Sequence, residues 1–382
     1  MSDDRHLRVC TYCVMDTTDP AIAFDSSGRC NHCREMESTE GTLWFTDDRG
    51  KPQLDAMLSR IVDEGKGQEF DCILGLSGGV DSSYLALKAF EWGLRPLVVH
   101  VDAGWNSELA VANIQRILEH CGWELHTHVV NWEDMRELQV AFLRSGVANQ
   151  DVPQDHAFFA SLYHFATENN IRYILNGGNI ATEGIFPTAW HWAAMDARNL
   201  KAIYREYGGK RLEYYQTIGF GRYYLWYPFV KRMTPVRPLN LIPFDKEAAV
   251  AELSDRIGWR SYDRKHGESL FTKFFQNYYL PTRYGYDKRK PHLSSRIVSH
   301  QITREGALME LAQPLYEEAE LKRDRAYVLR KLRITDEEFD EMMNAPLQDA
   351  GAFPNWDGRR DLLKRMQSLV GKMTGKDLRV YS

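Results

Sequence analysis

Short apolar runs alternate with longer amphipathic segments through the middle of the chain. The apolar runs predict buried β-strands and lie at 70–76, 96–102, 126–132 and 172–178. The segments between them place apolar residues at helical spacing and predict α-helices at 82–93, 107–121, 134–145 and 155–169. Strands that alternate with helices in this way favour an α/β fold with a doubly wound parallel sheet.

The pattern changes after the fourth predicted strand. Aromatic residues are unusually frequent in residues 204–232, which predicts a packing layer, with a stacking surface as the alternative. The last third of the chain is predicted to be mostly helical, and Thr335 with Glu338 forms the T-x-x-E pattern that begins a helix. We therefore predict three parts: a cysteine-rich module at 1–45, an α/β domain at 46–245 and a mostly helical region at 246–382.

The composition is that of an ordinary globular protein. The 382 residues are 43% hydrophobic and 26% charged, and 48 basic against 53 acidic side chains give a net charge of −5. This acidic excess argues against a dedicated nucleic-acid-binding protein, because such proteins usually carry a basic excess. No run approaches the roughly 18 apolar residues that span a bilayer, and the polar N-terminus does not resemble a signal peptide. We expect a cytoplasmic protein that makes no membrane contact.

Four of the six cysteines lie close together near the N-terminus. The C-x2-C-x16-C-x2-C spacing of structural zinc sites is formed by Cys10, Cys13, Cys30 and Cys33. Two such pairs complete a tetrahedron of thiolates, so that no position is left open for water or substrate. The spacing therefore predicts a structural zinc ion that helps a segment without its own core to fold. An iron–sulfur cluster and two unbound, reduced pairs are the alternatives.

The remaining two cysteines are predicted to be packing residues. Cys72 lies in the first predicted strand and Cys121 near a helix end, positions that favour burial over a role as nucleophile. His32 lies between two cysteines of the quartet and is predicted to be a surface residue and not a fifth ligand.

A glycine-rich loop follows the first predicted strand and opens the first predicted helix. It consists of Ser77, Gly78, Gly79, Val80, Asp81, Ser82 and Ser83. Glycines let the backbone approach phosphate oxygens, and successive N–H groups at a helix N-terminus supply partial positive charge. Asp81 would repel phosphate unless it holds Mg²⁺ or caps the helix. The loop is therefore predicted to bind phosphate, although it lacks the lysine of the G-x4-G-K-[ST] motif. A plain glycine turn at a capped helix is the alternative.

Two other predicted strands end in residues suited to the same ligand. Asp102 ends the strand at 96–102, and Asn176, Gly177 and Gly178 end the strand at 172–178. The carboxyl ends of parallel strands meet at one edge of the sheet, where ligands bind in open α/β folds. We therefore expect these residues to border the phosphate loop. A helix cap at Asp102 and a turn at Asn176 are the alternatives.

Three separated motifs carry a resemblance to known families. The loop SGGVDSS after a strand resembles that of the ATP pyrophosphatase (PP-loop) superfamily, which splits ATP into AMP and pyrophosphate. Together with this loop, CTYCVMDTTDPAIAFDSSGRCNHC and KHGESLFTKFFQNYYLPTRYGYDKRKPHLSSRIVSHQITREGAL (265–308) resemble the N-acetyl sugar amidotransferase family of bacterial surface-polysaccharide synthesis. The resemblance covers roughly residues 5–350. One position departs from it, because a small residue is expected before Gln301 and this chain has His300.

The resemblance implies an ATP-dependent enzyme that forms an amidine. The phosphate loop and the two neighbouring strand ends would bind ATP, with the strand ends around the adenosine. The substrate would be a nucleotide-activated acetamido sugar, with a UDP-linked diacetamido uronic acid as the leading candidate, and the product an acetamidino sugar for lipopolysaccharide O-antigen or a related glycan. Adenylation of the amide oxygen makes it part of AMP, a leaving group that ammonia can displace. Mg²⁺ would offset the charge that develops on pyrophosphate.

No glutaminase is recognisable in the sequence. Free ammonia is mostly ammonium at neutral pH, so an enzyme of this kind needs an ammonia source. The resemblance implies that a separate glutaminase subunit supplies it, together with a HisF-like barrel partner that forms a channel.

The third motif contains two sets of candidate site residues. Lys265, His266 and Glu268 form a polar cluster that could contact ATP or the sugar and accept a proton from ammonia. A basic stretch follows, and arginine side chains match both diphosphate and carboxylate groups. The predicted clamp for the sugar nucleotide consists of Lys288, Arg289, Lys290, His292 and Arg296. A solvated helix face and an RNA-contacting patch are the alternatives.

Two other functions compete with this interpretation. A PP-loop enzyme that thiolates transfer RNA or forms lysidine would also adenylate an oxygen, and it would bind RNA in a strongly salt-dependent manner. The acidic charge and the lack of a convincing catalytic cysteine beside the loop argue against it. A zinc-ribbon adaptor with a degenerate nucleotide fold is the third candidate, and the complete SGGVDSS loop argues against that one.

Overall fold

A parallel sheet of five strands forms the centre of the molecule, in the order β3-β2-β1-β4-β5. The computed structural model describes residues 7–190, 192–262 and 267–374. The strands are β1 (Cys72–Gly75), β2 (Pro96–Asp102), β3 (Leu125–Val129), β4 (Tyr173–Leu175) and β5 (Thr234–Val236). Every neighbouring pair is parallel, and Leu74 of β1 lies beside Val98 on one side and Leu175 on the other.

The helices of the first half include the connections between these strands. They are α1 (Asn31–Ser38), α2 (Lys51–Glu64), α3 (Val80–Glu91), α4 (Glu108–Cys121), α5 (Trp132–Ser145), α6 (Val152–Glu168), α7 (Ile180–Glu183) and α8 (Ala197–Tyr207). Helices α3 and α4 connect β1 to β2 and β2 to β3, and α5 with α6 connects β3 to β4.

Helices cover both faces of the sheet. Successive side chains of a strand point to opposite faces. Accordingly, Leu74 belongs to the core cluster that contains Leu85 of α3, whereas its neighbour Ile73 belongs to the cluster that contains Ala160 of α6. This arrangement confirms the predicted doubly wound parallel sheet.

The C-terminal region is mostly helical, as predicted. Its helices are α9 (Lys246–Ile257), α10 (Leu270–Phe274), α11 (Leu280–Tyr284), α12 (Arg289–Val298), α13 (Arg304–Leu311), α14 (Glu318–Leu332), α15 (Asp336–Asn344) and α16 (Asp357–Thr374). Two π-helical turns lie at Arg222–Val230 and Phe275–Tyr279. The sequence-based divisions at 45 and 245 fall in the connections before α2 and α9. None of the helices in the described part of the chain is long and apolar enough to cross a membrane.

Most of the aromatic segment at 204–232 is packing, which supports the first of its two interpretations. Tyr227 is 1% exposed and stacks on Tyr163 with ring centroids 4.7 Å apart. Phe220 contacts Trp356 from the C-terminal region, with centroids 5.4 Å apart. Tyr214 differs from these residues because 67% of it is exposed.

Candidate functional site

The glycine-rich loop forms a tight turn between β1 and α3. Gly78 has φ +84°, and a Cβ there would lie 2.7 Å from the carbonyl oxygen of Ala110, so only glycine fits. The hydroxyl groups of Ser77 and Ser82 lie 3.0 Å apart, and the N–H of Gly79 donates to Ser77 Oγ at 3.3 Å. The loop therefore presents backbone N–H groups, hydroxyls and a helix N-terminus at one point, a combination that can bind phosphate.

Two aromatic side chains fix the orientation of this loop from behind. The Tyr262 hydroxyl donates to the carbonyl oxygen of Gly78 at 2.9 Å, and the indole N–H of Trp259 lies 3.2 Å from both Gly78 O and Ser83 Oγ. Burial raises the pKa of Tyr262, which keeps its hydroxyl protonated as a donor. These two residues cannot be predicted from the sequence, because no local pattern relates them to a loop about 180 positions earlier.

Asp81 is bound to the loop that follows β4. The side-chain amide of Asn179 donates to Asp81 Oδ1 at 3.1 Å, and Asn179 also caps α7 by accepting from the N–H of Thr182. A Cβ on Gly177 would lie 3.0 Å from the carbonyl carbon of Asp81, so the two backbones touch. The structure therefore brings the strand end at 176–178 against the phosphate loop, as expected for this edge of the sheet. Within it, Gly178 donates its N–H to Asn176 Oδ1 at 2.7 Å.

Asp102 is placed at the same edge, but its carboxylate already has a local function. It accepts the N–H of Gly104 at 2.7 Å and so forms the turn after β2. The ring of His100 lies beneath this turn, 2.8 Å from Leu76 O and 2.8 Å from the amide nitrogen of Asn106. Contact between Asp102 and adenosine stays a prediction.

Glu268 reaches the phosphate loop from the C-terminal region. Its carbonyl accepts the N–H of Ser107 at 2.9 Å, which places the 268–270 segment beside the end of β2. A Cβ on Gly79 would lie 3.3 Å from Glu268 Oε1, so the carboxylate faces the loop. The other two members of the predicted polar cluster, Lys265 and His266, lie outside the described residues.

Three of the five predicted clamp residues make contacts within the chain. Arg289 pairs with Asp287 at 2.7 Å and also donates to three carbonyl groups at the end of α13. Lys290 Nζ lies 2.5 Å from the buried carboxylate of Asp16, in the cysteine-rich module. Arg296 donates to Glu247 at 2.6 Å. These three side chains therefore have partners in different parts of the chain. Their function as a clamp for a sugar nucleotide stays a prediction.

The remaining two clamp residues lie nearer to α7. Lys288 Nζ is 4.5 Å from the centre of the Phe186 ring, and His292 Nδ1 is 3.4 Å from Thr182 O. Thr182 itself bonds to Asn179, the partner of Asp81. Their predicted contact with a sugar nucleotide stays a prediction.

The four N-terminal cysteines converge on one point. Their Sγ atoms all lie within 4.8 Å of one another, with Cys10–Cys33 at 3.9 Å, Cys13–Cys30 at 3.7 Å and Cys30–Cys33 at 3.5 Å. Thiolates bound to one zinc ion at about 2.3 Å would be about 3.8 Å apart. Backbone N–H groups also point at sulfur, as from Cys30 to Cys10 Sγ at 3.3 Å. The four cysteines could therefore hold a single metal ion.

The structure corrects the expectation for His32 and supports that for the two other cysteines. The side chain of His32 is not on the surface, because 12% of it is exposed and its ring nitrogen lies 2.6 Å from the buried Asp19 carboxylate. Its partner is thirteen positions away, which a local pattern does not reveal. Cys72 and Cys121 are buried, and burial raises the pKa of both thiols, that of Cys121 to about 12, which disfavours the reactive thiolate.

The C-terminal part of the chain matches one family model, and several solved structures are similar to the chain at low TM-scores. Residues 268–369 match the family model described as LPS biosynthesis protein WbpG-like, C-terminal domain. No curated protein matches the chain. The NMN synthetase of Francisella tularensis is 13% identical, with 78% of this chain and 98% of that one covered and a TM-score of 0.35.

Two further solved structures are similar to the same extent. The NAD+ synthetase of Burkholderia pseudomallei is 17% identical over 61% of this chain and 95% of that one, with a TM-score of 0.30. The U34-tRNA thiolase NcsA of Methanococcus maripaludis, solved with its 4Fe-4S cluster, is 14% identical over 71% and 88%, with a TM-score of 0.33. The resemblance predicted from the third motif is confirmed over residues 268–369, where the chain matches the C-terminal domain of WbpG-like proteins of lipopolysaccharide biosynthesis.

Proposed function

We propose that the protein is an ATP-dependent amidotransferase that converts the N-acetyl group of a nucleotide-activated sugar into an acetamidino group. One observation carries the proposal. Glu268 is the first residue of the WbpG-like match, and its carboxylate faces Gly79 of the phosphate loop. The region related to lipopolysaccharide biosynthesis and the loop suited to ATP therefore meet at one site.

The reaction needs an activated amide, because the nitrogen of an amide donates into the carbonyl and makes its carbon a poor electrophile. The amide oxygen of the sugar attacks the α-phosphorus of ATP and pyrophosphate leaves. Ammonia then adds to the imidate carbon, and AMP departs with the former amide oxygen. The N–H groups of the loop at 77–83 would bind the departing pyrophosphate. Mg²⁺, when bound, would neutralise charge on it, and Asp81 is the residue suited to hold the ion.

Proton transfer is the second requirement of the reaction. Ammonia loses a proton as it adds to the imidate, so a base must lie close to the loop. Glu268 is our candidate, since its carboxylate faces the loop at Gly79. Lys265 and His266 precede it and stay predictions. We also propose that the protein works in the cytoplasm and that a glutaminase subunit, with a HisF-like barrel partner, supplies the ammonia.

The cysteine quartet is proposed to hold one structural zinc ion. The Sγ separations fit a single tetrahedral ion better than a cluster of several irons, which needs its thiolates further apart. Cys30→Ser should lose the metal and reduce the thermal stability, as measured by metal analysis and circular dichroism. Cys121→Ser is the matched control, because Cys121 is buried outside the quartet. Stoichiometric iron in the purified protein would refute the assignment.

The activity is tested with ATP, Mg²⁺, excess ammonium and a panel of UDP-linked diacetamido sugars. We expect AMP and pyrophosphate to form only with one sugar, whose mass changes by the exchange of an oxygen for an NH group. Glu268→Gln should slow this reaction strongly. Glu317→Gln is the control and should not slow it, because Glu317 lies directly before α14 and has no part in the proposed site. AMP formation that is stimulated by transfer RNA and by none of the sugars would instead indicate an RNA-modifying enzyme.

A further inference from the structure

A cavity of about 570 Å³ opens at the carboxyl end of β3, away from the phosphate loop. Its walls come from the start of α5, the middle of α6 and the loop around residue 215. The side chains that line it include His128, Asn131, Trp132, Ser161, Tyr214 and Gln216. The volume lies within the range of about 300–1,000 Å³ that is usual for small-molecule sites.

One wall of the cavity is held rigidly by a buried carboxylate. Asp134 is 6% exposed and accepts the N–H groups of Glu213, Tyr214 and Tyr215, the last two at 2.6 and 2.8 Å. The Tyr215 hydroxyl donates to Pro153 O at 2.6 Å and closes the other end of this loop. A wall fixed in this way is pre-organised, which lowers the entropy lost when a ligand binds.

The chemistry of the lining suits an uncharged, planar, polar ring. None of the described residues that line the cavity is aspartate, glutamate, lysine or arginine. Burial lowers the pKa of His128, which favours its neutral form. Tyr214 offers an exposed aromatic face, whereas the ring of Trp132 already has Lys331 Nζ 4.9 Å from its centre and packs against Gly104. The side-chain amide of Gln216 makes no hydrogen bond with any described residue. Aromatic faces with free amide groups are what proteins use to stack and hydrogen-bond a nucleobase.

The position of the cavity relates it to the phosphate loop. The N–H of Val130, in the cavity wall, donates to Asp102 O at 2.9 Å, so the cavity borders the end of β2. Neighbouring strands are about 4.8 Å apart, which places the end of β3 about 10 Å from the end of β1 and its loop. A nucleotide sugar must span a distance of this order if its acetamido group lies at the phosphate loop and its base lies in the cavity.

We infer that this cavity binds the nucleobase of the sugar nucleotide, while ATP occupies the crevice between β1 and β4. The inference rests on the proposed function, because it needs a nucleotide-activated sugar as the substrate. It assigns the two nucleotides to separate places at one edge of the sheet. It also gives Asp134 a role as a positioning residue for the loop that carries Tyr214.

The inference is tested by calorimetric titration of the full chain with UDP, CDP and GDP, and separately with ATP and Mg²⁺. Tyr214→Ala should weaken binding of the preferred nucleoside diphosphate about tenfold or more, because stacking on the ring is lost. Its affinity for ATP should not change. Tyr214 is 67% exposed, so the variant should fold, and Phe229→Ala is the matched control with a ring that is 53% exposed outside the cavity. Ser161→Leu, which narrows the cavity, should have the same effect as Tyr214→Ala.

The results separate this inference from the proposed function. It is overturned if none of the three diphosphates binds, if both cavity variants bind them normally, or if the variants lose affinity for ATP instead. Amidotransfer with ammonium is measured on the same variants. If the wild-type protein turns over the sugar and both variants have normal KM values for it, the proposed function stands. The cavity would then not be the binding site for the nucleobase.

Discussion

The side-chain amide of Asn179 donates a hydrogen bond of 3.1 Å to the carboxylate of Asp81. This bond connects the phosphate loop to the residue that caps α7. The segment that follows α7 is bound in turn to α12, because the N–H of Ile185 donates to the hydroxyl of Ser295 at 2.9 Å. Helix α12 then contacts the cysteine-rich module, because the N–H of Val14 donates to Ser294 Oγ at 3.2 Å. The three motifs that are far apart in the sequence are thus joined by a continuous set of hydrogen bonds.

The Asn179–Asp81 bond can be removed without removing the helix cap. Asn179→Ser should keep the cap of α7, because serine accepts N–H groups at this position as well as asparagine does. The shorter side chain cannot reach Asp81, and a hydrogen bond to a charged group contributes about 1.5–3 kcal/mol. We expect pyrophosphate release to fall about tenfold or more while the melting temperature falls by only a few degrees. Asn179→Ala should lose both properties, and unchanged pyrophosphate release in both variants would show that Asp81 needs no support from Asn179.

Gly78 should be irreplaceable for ATP binding, and a second glycine provides the control. Gly78→Ala places a Cβ 2.7 Å from Ala110 O and also forces alanine into a φ of +84°. Gly67 has a similar φ of +79° but nothing within 4 Å of its Cβ position. Gly67→Ala should therefore cost only about 1–2 kcal/mol of unfolding free energy, with normal ATP affinity. Gly78→Ala should lose affinity for ATP as well as stability, as measured by calorimetric titration and thermal unfolding. If the two variants bound ATP equally well, the contact between Gly78 and Ala110 would not be the reason that glycine is needed.

Lys290 is expected to stabilise the cysteine-rich module more than it contributes to a substrate site. Lys290→Met leaves the carboxylate of Asp16, which is 2% exposed, without its cation. Breaking a buried ion pair on one side costs about 3–5 kcal/mol, and the remaining bonds from Thr18 to Asp16 should reduce this to about 2–3 kcal/mol. Urea unfolding measures the effect.

A second substitution and a surface control complete this experiment. Asp16→Asn combined with Lys290→Met removes both charges and should recover most of the lost stability. Lys66→Met is the control, because the Lys66–Asp63 pair is exposed and should contribute little to the stability. A sugar-binding role for Lys290 would appear as a raised KM in the double variant, whose fold is restored.

The local sequence patterns predict the first four strands of the sheet but not the fifth. The strand at 96–102 was predicted from its continuous apolar run and occurs with the same bounds, Pro96–Asp102. Thr335 and Glu338 form the capping box that their spacing indicated. The strand Thr234–Val236 was missed because it has three residues, one of them proline, and is partly exposed. A short edge strand of this kind carries too little periodicity to be recognised.

The cysteine quartet and the phosphate loop could be predicted because each is a contiguous or closely spaced motif. The contacts of the basic side chains at 288–304 could not be predicted, since charge alone does not say where a side chain points. Arg304 illustrates the difficulty: it donates to the carbonyl groups of Cys10 and Cys13, both at 3.1 Å and almost 300 positions away. Such long-range contacts are decided by the packing of α12 and α13 on the cysteine-rich module, which no local pattern contains.

His300 occupies a backbone conformation that favours glycine. It follows α12 with φ +61°, and this is the position where the family resemblance predicts a small residue. His300→Gly should stabilise the protein by about 0.5–1 kcal/mol, because relief of the left-handed strain outweighs the greater freedom of glycine in the unfolded chain. Asn170, with φ +54°, is the control, since asparagine tolerates this region better and Asn170→Gly should gain less. Thermal unfolding of the two variants measures the difference. A loss of stability in His300→Gly would show that the histidine side chain itself stabilises the protein.

His156 should make the stability of the protein depend on pH. Its ring is buried, Nδ1 lies 2.8 Å from Ala194 O, and Nε2 accepts the N–H of Ile218 at 3.2 Å, which requires the neutral ring. Burial lowers the pKa of His156 to about 4. The unfolded chain, with an ordinary histidine pKa of about 6.5, therefore binds the proton first, and the stabilising effect is present above pH 6.5 and lost as the pH falls towards 4.

Between pH 7 and pH 5 the contribution of His156 to the unfolding free energy should decrease by about 2 kcal/mol. Urea unfolding at the two pH values measures it. His156→Gln removes the titrating ring, so the variant should be less stable at pH 7 but should lose less stability than the wild type on going to pH 5. If both proteins lost the same amount, the pH dependence would arise from other groups, and the neutral ring of His156 would not be the cause.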